Sequence, residues 1–343
     1  MLNAEYAIVI KSKTRLERLL EQDSTKRMAR FRVESQGGDF SDFEAEHEVY
    51  HESLSAVQNR LSKVLRNKLV DRSFVPSYLF KGDIPLVIVI GQDGLVANSA
   101  KYVGSIPMIA VNPEPQRYDG VLLPFTPEDF LEAVEQVIAG KYKAQMRSLA
   151  EARLNDGQRL LAFNDLFIGT ASHISARYRI QIGDMSEEQS SSGIIVSTKS
   201  GATGWLSSIF NMANGLQRLV TPQSKRKKRN RSQATAQSAH SVTAFAQGVF
   251  DDDSQNTGFG PRPMLRDDQL FFAVREPFQS QCTGIDIMGG PLDANDRLII
   301  ESHMPRGGVI FSDGMESDFL QFSAGNIATI AVAPEKAKLV QKR

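Results

Sequence analysis

Cysteine is nearly absent: Cys282 is the only one in 343 residues. That excludes an intramolecular disulfide framework and any Cys-cluster zinc or iron–sulfur site. It also fits a reducing compartment, which we read as the cytoplasm. Net charge is absent too. Forty Lys and Arg cancel forty Asp and Glu, so no overall field draws the chain to nucleic acid or to an anionic membrane. Long apolar runs are missing. The longest, Ile84 to Ile90, is far short of the roughly 20 residues that span a bilayer. The start shows no cationic segment followed by an apolar stretch and a small-residue cleavage site, so no signal peptide is expected. What is present is ordinary globular material, 41% apolar and 23% charged. At about 150 residues per domain the length suggests two domains.

Hydrophobic patterning divides the chain at about residue 140. Tyr6 to Ile10 reads as a buried strand and Thr14 to Leu20 as a helix. Phe43, Val49, Leu54, Val57, Leu61, Val64 and Leu65 recur mostly at three- and four-residue steps, one face of a long helix. Pro85 to Gly91 (PLVIVIG) is apolar on both faces, as in the middle of a parallel sheet. Ile106 to Val111 and a shorter Gly120 to Leu123 read as further strands. Thr126-Pro127-Glu128-Asp129 opens a helix, with Asp129 able to reach back as in a capping box. Strand and helix alternate, so residues 1–140 are expected to form an α/β nucleotide-binding domain. Residues 141–335 are β-rich and mostly antiparallel in character, with one helix from about Gly204 to Gly215. An insert at 221–263 carries a basic run, Lys225 to Arg231, then Gln, Ala and Ser, then Asp251 to Asp253. Its composition reads as a disordered loop. The basic run could touch nucleic acid, but a solvated charge run in a loop is the plainer account.

Three constellations could carry chemistry. Gly91-Gln92-Asp93-Gly94 follows the best strand, where ligands of open α/β sheets bind. Glycines there let the backbone approach a phosphate, and an aspartate can accept a hydroxyl proton or help hold magnesium. A plain Asp-Gly turn is the competing account. Asn164-Asp165 follows a second apolar run and offers hydrogen bonds to a sugar or base; an Asx turn competes with it. Ser191 to Trp205 (SSGIIVSTKSGATGW) runs a strand into a turn dense in Ser, Thr and Gly, then into a helix. Such a turn offers N–H groups and hydroxyls to a nucleotide; an ordinary polar β–α connection competes with that account.

Two other patterns compete for attention. His47-Glu48-Val49-Tyr50-His51 matches the zinc-protease pattern H-E-x-x-H on a helix. It lacks the downstream H-x-x-G-x-x-H extension, and nothing marks a third ligand among His173, His240 and His303, so a solvated helix face is the expectation. Cys282 has no nucleophile signature around it and is expected to be buried or inert.

The three constellations, in this order and at these spacings, resemble the NAD kinase family. Its G-G-D-G-T, Asn-Glu and T-P-T-G-S-T-A-Y-like segments correspond to Gly91-Gln92-Asp93-Gly94-Leu95, to Asn164-Asp165, and to Thr198 through Trp205. Ile109 to Pro115 with Gly120 is similar to the I-G-V-N-T-D-P segment, and Ser312-Asp313-Gly314 to a turn of the C-terminal sheet. The phrase Asn164 to Gly169 with Ser191-Ser192-Gly193 looks most like the mitochondrial-type branch. The resemblance implies an α/β N-terminal domain with a β-sandwich-like C-terminal domain. It implies transfer of the ATP γ-phosphoryl group to the 2′-hydroxyl of the NAD adenosine ribose, with Mg²⁺ accompanying ATP. It implies Asp93 as the base, Gly91 and Gly94 at the phosphates, Asn164 and Asp165 on the NAD adenosine, and Thr203, Gly204, Trp205 and Ser208 lining the nucleotide pocket. It further implies a homo-oligomer, a dimer or larger. The chain departs from the pattern where Gln92 replaces glycine, Leu95 threonine, Asp165 glutamate and Lys199 proline. The alternatives are a related kinase acting on a lipid or sugar, and a catalytically silent NAD or nucleotide sensor.

Overall fold

The computed structural model describes residues 6–23, 25–74, 86–220 and 264–342. The 221–263 insert with its basic run lies outside the described residues. The chain divides into two compact units, one of Met1–Arg147 with Glu335–Arg343 and one of Ser148–Pro334.

In the first unit β1 (Ala7–Lys11) pairs in parallel with β2 (Asn67–Asp71) and with β3 (Val87–Ile90), and β3 pairs in parallel with β4 (Pro107–Val111). Lys338 and Leu339 of the chain's last strand run parallel to Pro107 and Met108. All four residues of β3 are fully buried, which is why both of its faces are apolar. At about 1.5–3 kcal/mol per fully buried Val or Ile, such a strand anchors the sheet. The helices are α1 (Arg15–Asp23), α2 (Lys26–Ser35), α3 (Phe40–Leu61), α4 (Asp93–Val103) and α5 (Phe130–Ile138). Tyr50, Leu54, Val57 and Leu61 of α3 pack with Val9, Ile88 and Ile90, and Phe130, Val134 and Val137 of α5 join the same core. Thr126 and Asp129 make the expected reciprocal contacts, Thr126 N–H to Asp129 Oδ1 (2.8 Å) and Glu128 N–H to Thr126 Oγ1 (3.3 Å), but in the turn ahead of α5, whose N-cap is Asp129 and not Thr126.

Two expectations change. The plain Asp-Gly turn does not form: α4 starts at Asp93, so Asp93 and Gly94 make a first helical turn. There a carboxylate meets the positive end of the helix dipole. The strand expected at Gly120–Leu123 is a loop, because the N–H groups of Val121 and Leu122 go to a side chain instead of a strand ladder.

The second unit is antiparallel. Its strands are β5 (Ala144–Leu154, in this unit from Ser148), β6 (Arg159–Ala162), β7 (Asp165–Thr170), β8 (Ala176–Ile182), β9 (Met185–Ser191), β10 (Ile194–Thr198), β11 (Leu270–Val274), β12 (Gly289–Leu292), β13 (Leu298–Ser302), β14 (Gly308–Ser312), β15 (Met315–Gln321) and β16 (Ile327–Val340, in this unit up to Pro334). One sheet has the order β12-β11-β10-β7-β14-β15. The other runs β16-β13-β8-β9, with β5 pairing β16 and β6. Leu166, Ile168, Val196 and Phe272 from the first sheet interlock with Tyr178, Ile180, Ile300 and Ile330 from the second, a sandwich core. The outward face of the first sheet carries Phe167, Ile195, Val309 and Phe311, covered by Trp205 and Ile209 of α6 (Trp205–Val220).

Candidate functional site

The site residues fall into two groups, one in each unit. In the first unit, Gly91 ends β3, and Gln92 caps α4 through its backbone only. Asp93 is the first helical residue. Its Oδ1 accepts the Leu122 N–H at 2.8 Å and its Oδ2 the Val121 N–H at 3.2 Å. The loop that supplies these donors is shaped by buried Asn112. The Asn112 amide donates to the Tyr118 carbonyl (2.9 Å) and its oxygen accepts the Glu114 N–H (3.0 Å). Gly120 takes φ +62°, and a Cβ there would sit 2.6 Å from Asn112 Nδ2. The asparagine and the glycine of that segment are thus one device that brings two N–H groups to Asp93.

Gly91 and Gly94 differ in what requires them. A Cβ on Gly91 would lie 2.8 Å from Leu95 Cδ2, while one on Gly94 meets nothing within 4 Å. Leu95 fills the space beneath the turn and is buried. The Gln92 side chain hydrogen-bonds Tyr118, whose phenol is pushed up by burial. Beside this turn the Tyr50 hydroxyl donates to the Ile90 carbonyl (3.0 Å) and accepts the Ser12 N–H (3.2 Å), tying α3 to the ends of β1 and β3.

In the second unit Asn164 and Asp165 sit where β6 turns into β7. The Asp313 carboxylate, on the β14–β15 turn, accepts three successive N–H groups: Phe163 (3.0 Å), Asn164 (2.6 Å) and Asp165 (3.3 Å). The Asp313 N–H donates back to the Asp165 carbonyl at 2.9 Å. Thr198 closes the other side. Its N–H donates to the Asn164 carbonyl (2.9 Å), its hydroxyl donates to the Phe163 carbonyl (2.6 Å), and that hydroxyl accepts the Ser200 N–H (3.1 Å). Gly201 packs flat against the pair, since a Cβ there would be 2.7 Å from both the Asn164 carbonyl carbon and Asp165 Oδ1.

Burial pushes the Asp165 carboxyl up to about 7; the Ser197 hydroxyl opposes this and the neighbouring Asp313 charge adds to it. Asp165 Oδ1 is buried without a hydrogen-bond partner among the described residues. An orphaned acceptor of this kind fits a donor supplied by a ligand.

Trp205 is half-buried on the same sheet. It stacks on Phe167 (ring centroids 5.7 Å, planes 9° apart), and the Arg275 guanidinium lies 5.4 Å over its ring. These three line a cavity of about 470 Å³ with His173, Phe311 and Phe319. Thr203, Gly204 and Ser208 are exposed at the start of α6, where the Ser208 hydroxyl donates to the Gly204 carbonyl at 3.3 Å. They do not line that cavity.

The structure therefore groups Asn164 and Asp165 with Thr198 and Gly201, and places Gly91 and Gly94 beside Asp93. Sequence reasoning singled out the Ser312-Asp313-Gly314 turn but gave Asp313 no role. Arg275 carried no motif, and Phe167, within the phrase Asn164 to Gly169, was given no role. Cys282, expected to be buried or inert, is exposed. The H-E-x-x-H histidines face α1 rather than solvent alone, with Thr14 and Glu17 against them.

No family model matches the chain. Among curated proteins it is similar to an NAD kinase of Aeromonas salmonicida, 33% identical over 129 residues, 35% of this chain and 42% of the relative. It is also similar to a bifunctional NADP phosphatase/NAD kinase of Methanococcus maripaludis, 29% identical over 150 residues, 41% of this chain and 26% of the relative. The chain thus spans less than half the length of the curated relatives it matches. Among solved structures, an NAD kinase from Archaeoglobus fulgidus in complex with ATP superposes with a TM-score of 0.53 at 11% identity, covering 98% of this chain and 93% of that one. Yeast NADH kinase complexed with NADH gives 0.51 at 13% identity, covering 99% and 84%. Over about a third of the chain the sequence is similar to NAD kinases, and over nearly all of it the chain shares the fold of these solved NAD kinase structures.

Proposed function

We propose that this chain is an NAD kinase that moves the γ-phosphoryl group of ATP to the 2′-hydroxyl of the NAD adenosine ribose, releasing ADP and NADP. The observation that carries this reading is the setting of Asp93. It stands beyond the carboxyl end of the most buried strand, at a helix N-terminus, with one backbone N–H on each carboxylate oxygen. Ligands of open α/β sheets bind at that edge, and helix N-termini favour phosphate. Each carboxylate oxygen keeps a lone pair for a substrate hydroxyl. Asp93 would take the 2′-hydroxyl proton as the ribose oxygen attacks the γ-phosphorus and ADP leaves. Gly91 and the open space at Gly94 would admit phosphate close to the backbone.

Asn164 and Asp165 would hold the adenosine of NAD, with Asp165 Oδ1 accepting from it. Trp205 would offer its ring at the cavity wall, with Thr203, Gly204 and Ser208 on the approach. The residues present do not fit a resident magnesium ion. Asp93 is the only acid of its turn, and among the described residues it belongs to no group of three or more His, Cys, Asp or Glu side chains that could hold a metal. Mg²⁺ belongs here with the ATP phosphates, as it does where few protein carboxylates are offered. Catalysis then rests on positioning, as in phosphoryl transfer generally.

The relatives named NAD kinase and the neighbours bound to ATP and NADH support this nucleotide pair. A homo-oligomer belongs to the same reading and is tested by sedimentation. No helix among the described residues is long and apolar enough to cross a membrane; action in the cytoplasm, where the exposed thiol of Cys282 stays reduced, is part of the proposal.

The test is a coupled assay with ATP, Mg²⁺ and NAD, reading NADP with an NADP-specific dehydrogenase, run beside Asp93→Asn with melting curves for both proteins. NADP that collapses in the folded variant supports the reaction and the base. NADP that persists in the variant removes Asp93 from its role. No NADP from the unaltered protein, with NAD still bound, overturns the reading in favour of a lipid or sugar acceptor or a silent sensor.

A further inference from the structure

The H-E-x-x-H segment is not used by the proposed reaction, and its surroundings point to a ligand of another kind. His47 and His51 lie one turn apart on α3, with ring centroids 4.4 Å apart. Glu17, on α1 and about thirty residues upstream, reaches between the two helices. A ligand atom from each of the three lies within 4.8 Å of the others. Glu17 Oε1 is 3.2 Å from His51 Nε2. Two donors bound about 2.1 Å from a tetrahedral metal stand about 3.4 Å apart, so this edge is already at coordination spacing.

The surrounding groups hold the three side chains in place. The Thr14 hydroxyl lies 2.9 Å from His47 Nδ1, the Thr14 N–H donates to Glu17 Oε2 (2.8 Å), and the Tyr50 ring meets His51 edge-on. This is the outer support that orients metal-ligating histidines. One Glu17 carboxylate oxygen is thus held by the Thr14 N–H while the other faces His51. Lys11 and Lys13 are cations that oppose a metal here; Lys11 is drawn toward Asp71, 3.6 Å away, and Lys13 pairs with Glu21.

We propose that Glu17, His47 and His51 bind one Zn²⁺-class divalent cation that fastens α1 to α3. Two imidazoles and one carboxylate are the donor set of a zinc site and a poor one for magnesium. Glu48, the position that would act as base in a zinc protease, is exposed and outside the cluster, so the site is assigned to binding and no hydrolytic step is attached to it. α1 and α3 share contacts through Arg15, which pairs with Asp42 and Glu46. A metal would add a second cross-link one turn further along α3. The assignment does not depend on the kinase reading.

The experiment uses the tag-free full chain, stripped with chelator and titrated with ZnCl₂ by calorimetry, with melting followed in parallel. One Zn²⁺ per chain and a rise in melting temperature are expected. Glu17→Gln and His51→Gln, which remove a ligand at nearly constant size, should each weaken binding by at least about tenfold and remove the melting shift. MgCl₂ at the same concentration should do neither. Circular dichroism before titration establishes that each variant is folded, and His47→Ala replaces a variant that is not. Absence of Zn²⁺ binding, or unchanged binding in both folded variants, overturns the proposal.

Discussion

The Asp313 carboxylate accepts the Asn164 N–H at 2.6 Å, across 149 positions of sequence. It is the central bond of a three-donor nest that fixes where the Asn164-Asp165 pair stands. Asp313 itself takes φ +54°, a conformation that asparagine and aspartate tolerate better than most residues.

Asp313→Asn keeps that backbone preference but exchanges an acceptor-only carboxylate for an amide with two donors of its own. At least one of the three N–H groups loses its partner, at a cost of about 1–3 kcal/mol if it stays buried. The expected outcome is a lower melting temperature together with a raised KM for NAD and an unchanged KM for ATP. A variant with both KM values unchanged would show that the nest serves stability alone.

Asp165 makes stability depend on pH in a direction opposite to a salt-bridged carboxylate. Its folded pKa is raised from the usual carboxylate value to about 7, so the native state holds a proton that the unfolded chain releases. The stabilisation is complete below about pH 4 and is lost as pH rises through about 7. Three units correspond to at most about 4 kcal/mol. Melting temperature should therefore fall between pH 5 and pH 8 in the unaltered protein and fall less in Asp165→Asn. Equal slopes in the two proteins would mean that the carboxyl ionises without penalty. The same variant cannot ionise at all, so NAD binding, if it uses the charged form, should lose its rise across neutral pH.

The glycines separate by what surrounds them. Gly201→Ala would drive a methyl into the Asn164 carbonyl and Asp165 Oδ1, and overpacking of this kind costs about 1–3 kcal/mol. Gly94→Ala meets open space and should leave the unfolding free energy within about 0.5 kcal/mol of the unaltered protein. If phosphate approaches the turn closely, Gly94→Ala should still lower NADP formation. Full activity in a stable Gly94→Ala would place the phosphates elsewhere.

Much of this was legible in the sequence, and the reasons differ by element. β3 could be read because all four of its residues are buried and apolar. The β10–α6 connection could be read from its run of Ser, Thr and Gly. β9 (MSEEQSS) could not, because it lacks apolar alternation and is held by its ladder to β8 and by the buried Tyr178 hydroxyl, which meets Gln189 and Ser191. β5 (AQMRSLAEARL) is rich in helix formers, and packing into the sandwich core overrides that preference. At the candidate site, the pairing of Asp93 with the 121–122 loop, of Asn164 with Asp313, and of Glu17 with His51 all join distant parts of the chain. No local pattern encodes such contacts.

Trp205 is the only tryptophan, so its emission reports on one place: the cavity of about 470 Å³ it shares with Phe167 and Arg275. A planar ring entering that cavity would stack on an exposed π-face or displace the guanidinium 5.4 Å above it. Titration with NAD should change the intensity of Trp205 emission with a saturable profile. Arg275→Ala removes the cation from the ring face, a contribution of about 0.5–1 kcal/mol at a partly exposed site. It should shift the starting spectrum while leaving the protein folded. If NAD binds by calorimetry but leaves Trp205 emission unchanged in both proteins, the adenosine does not enter this cavity. The Asn164-Asp165 pair would then be the place to follow it, through the pH dependence of binding.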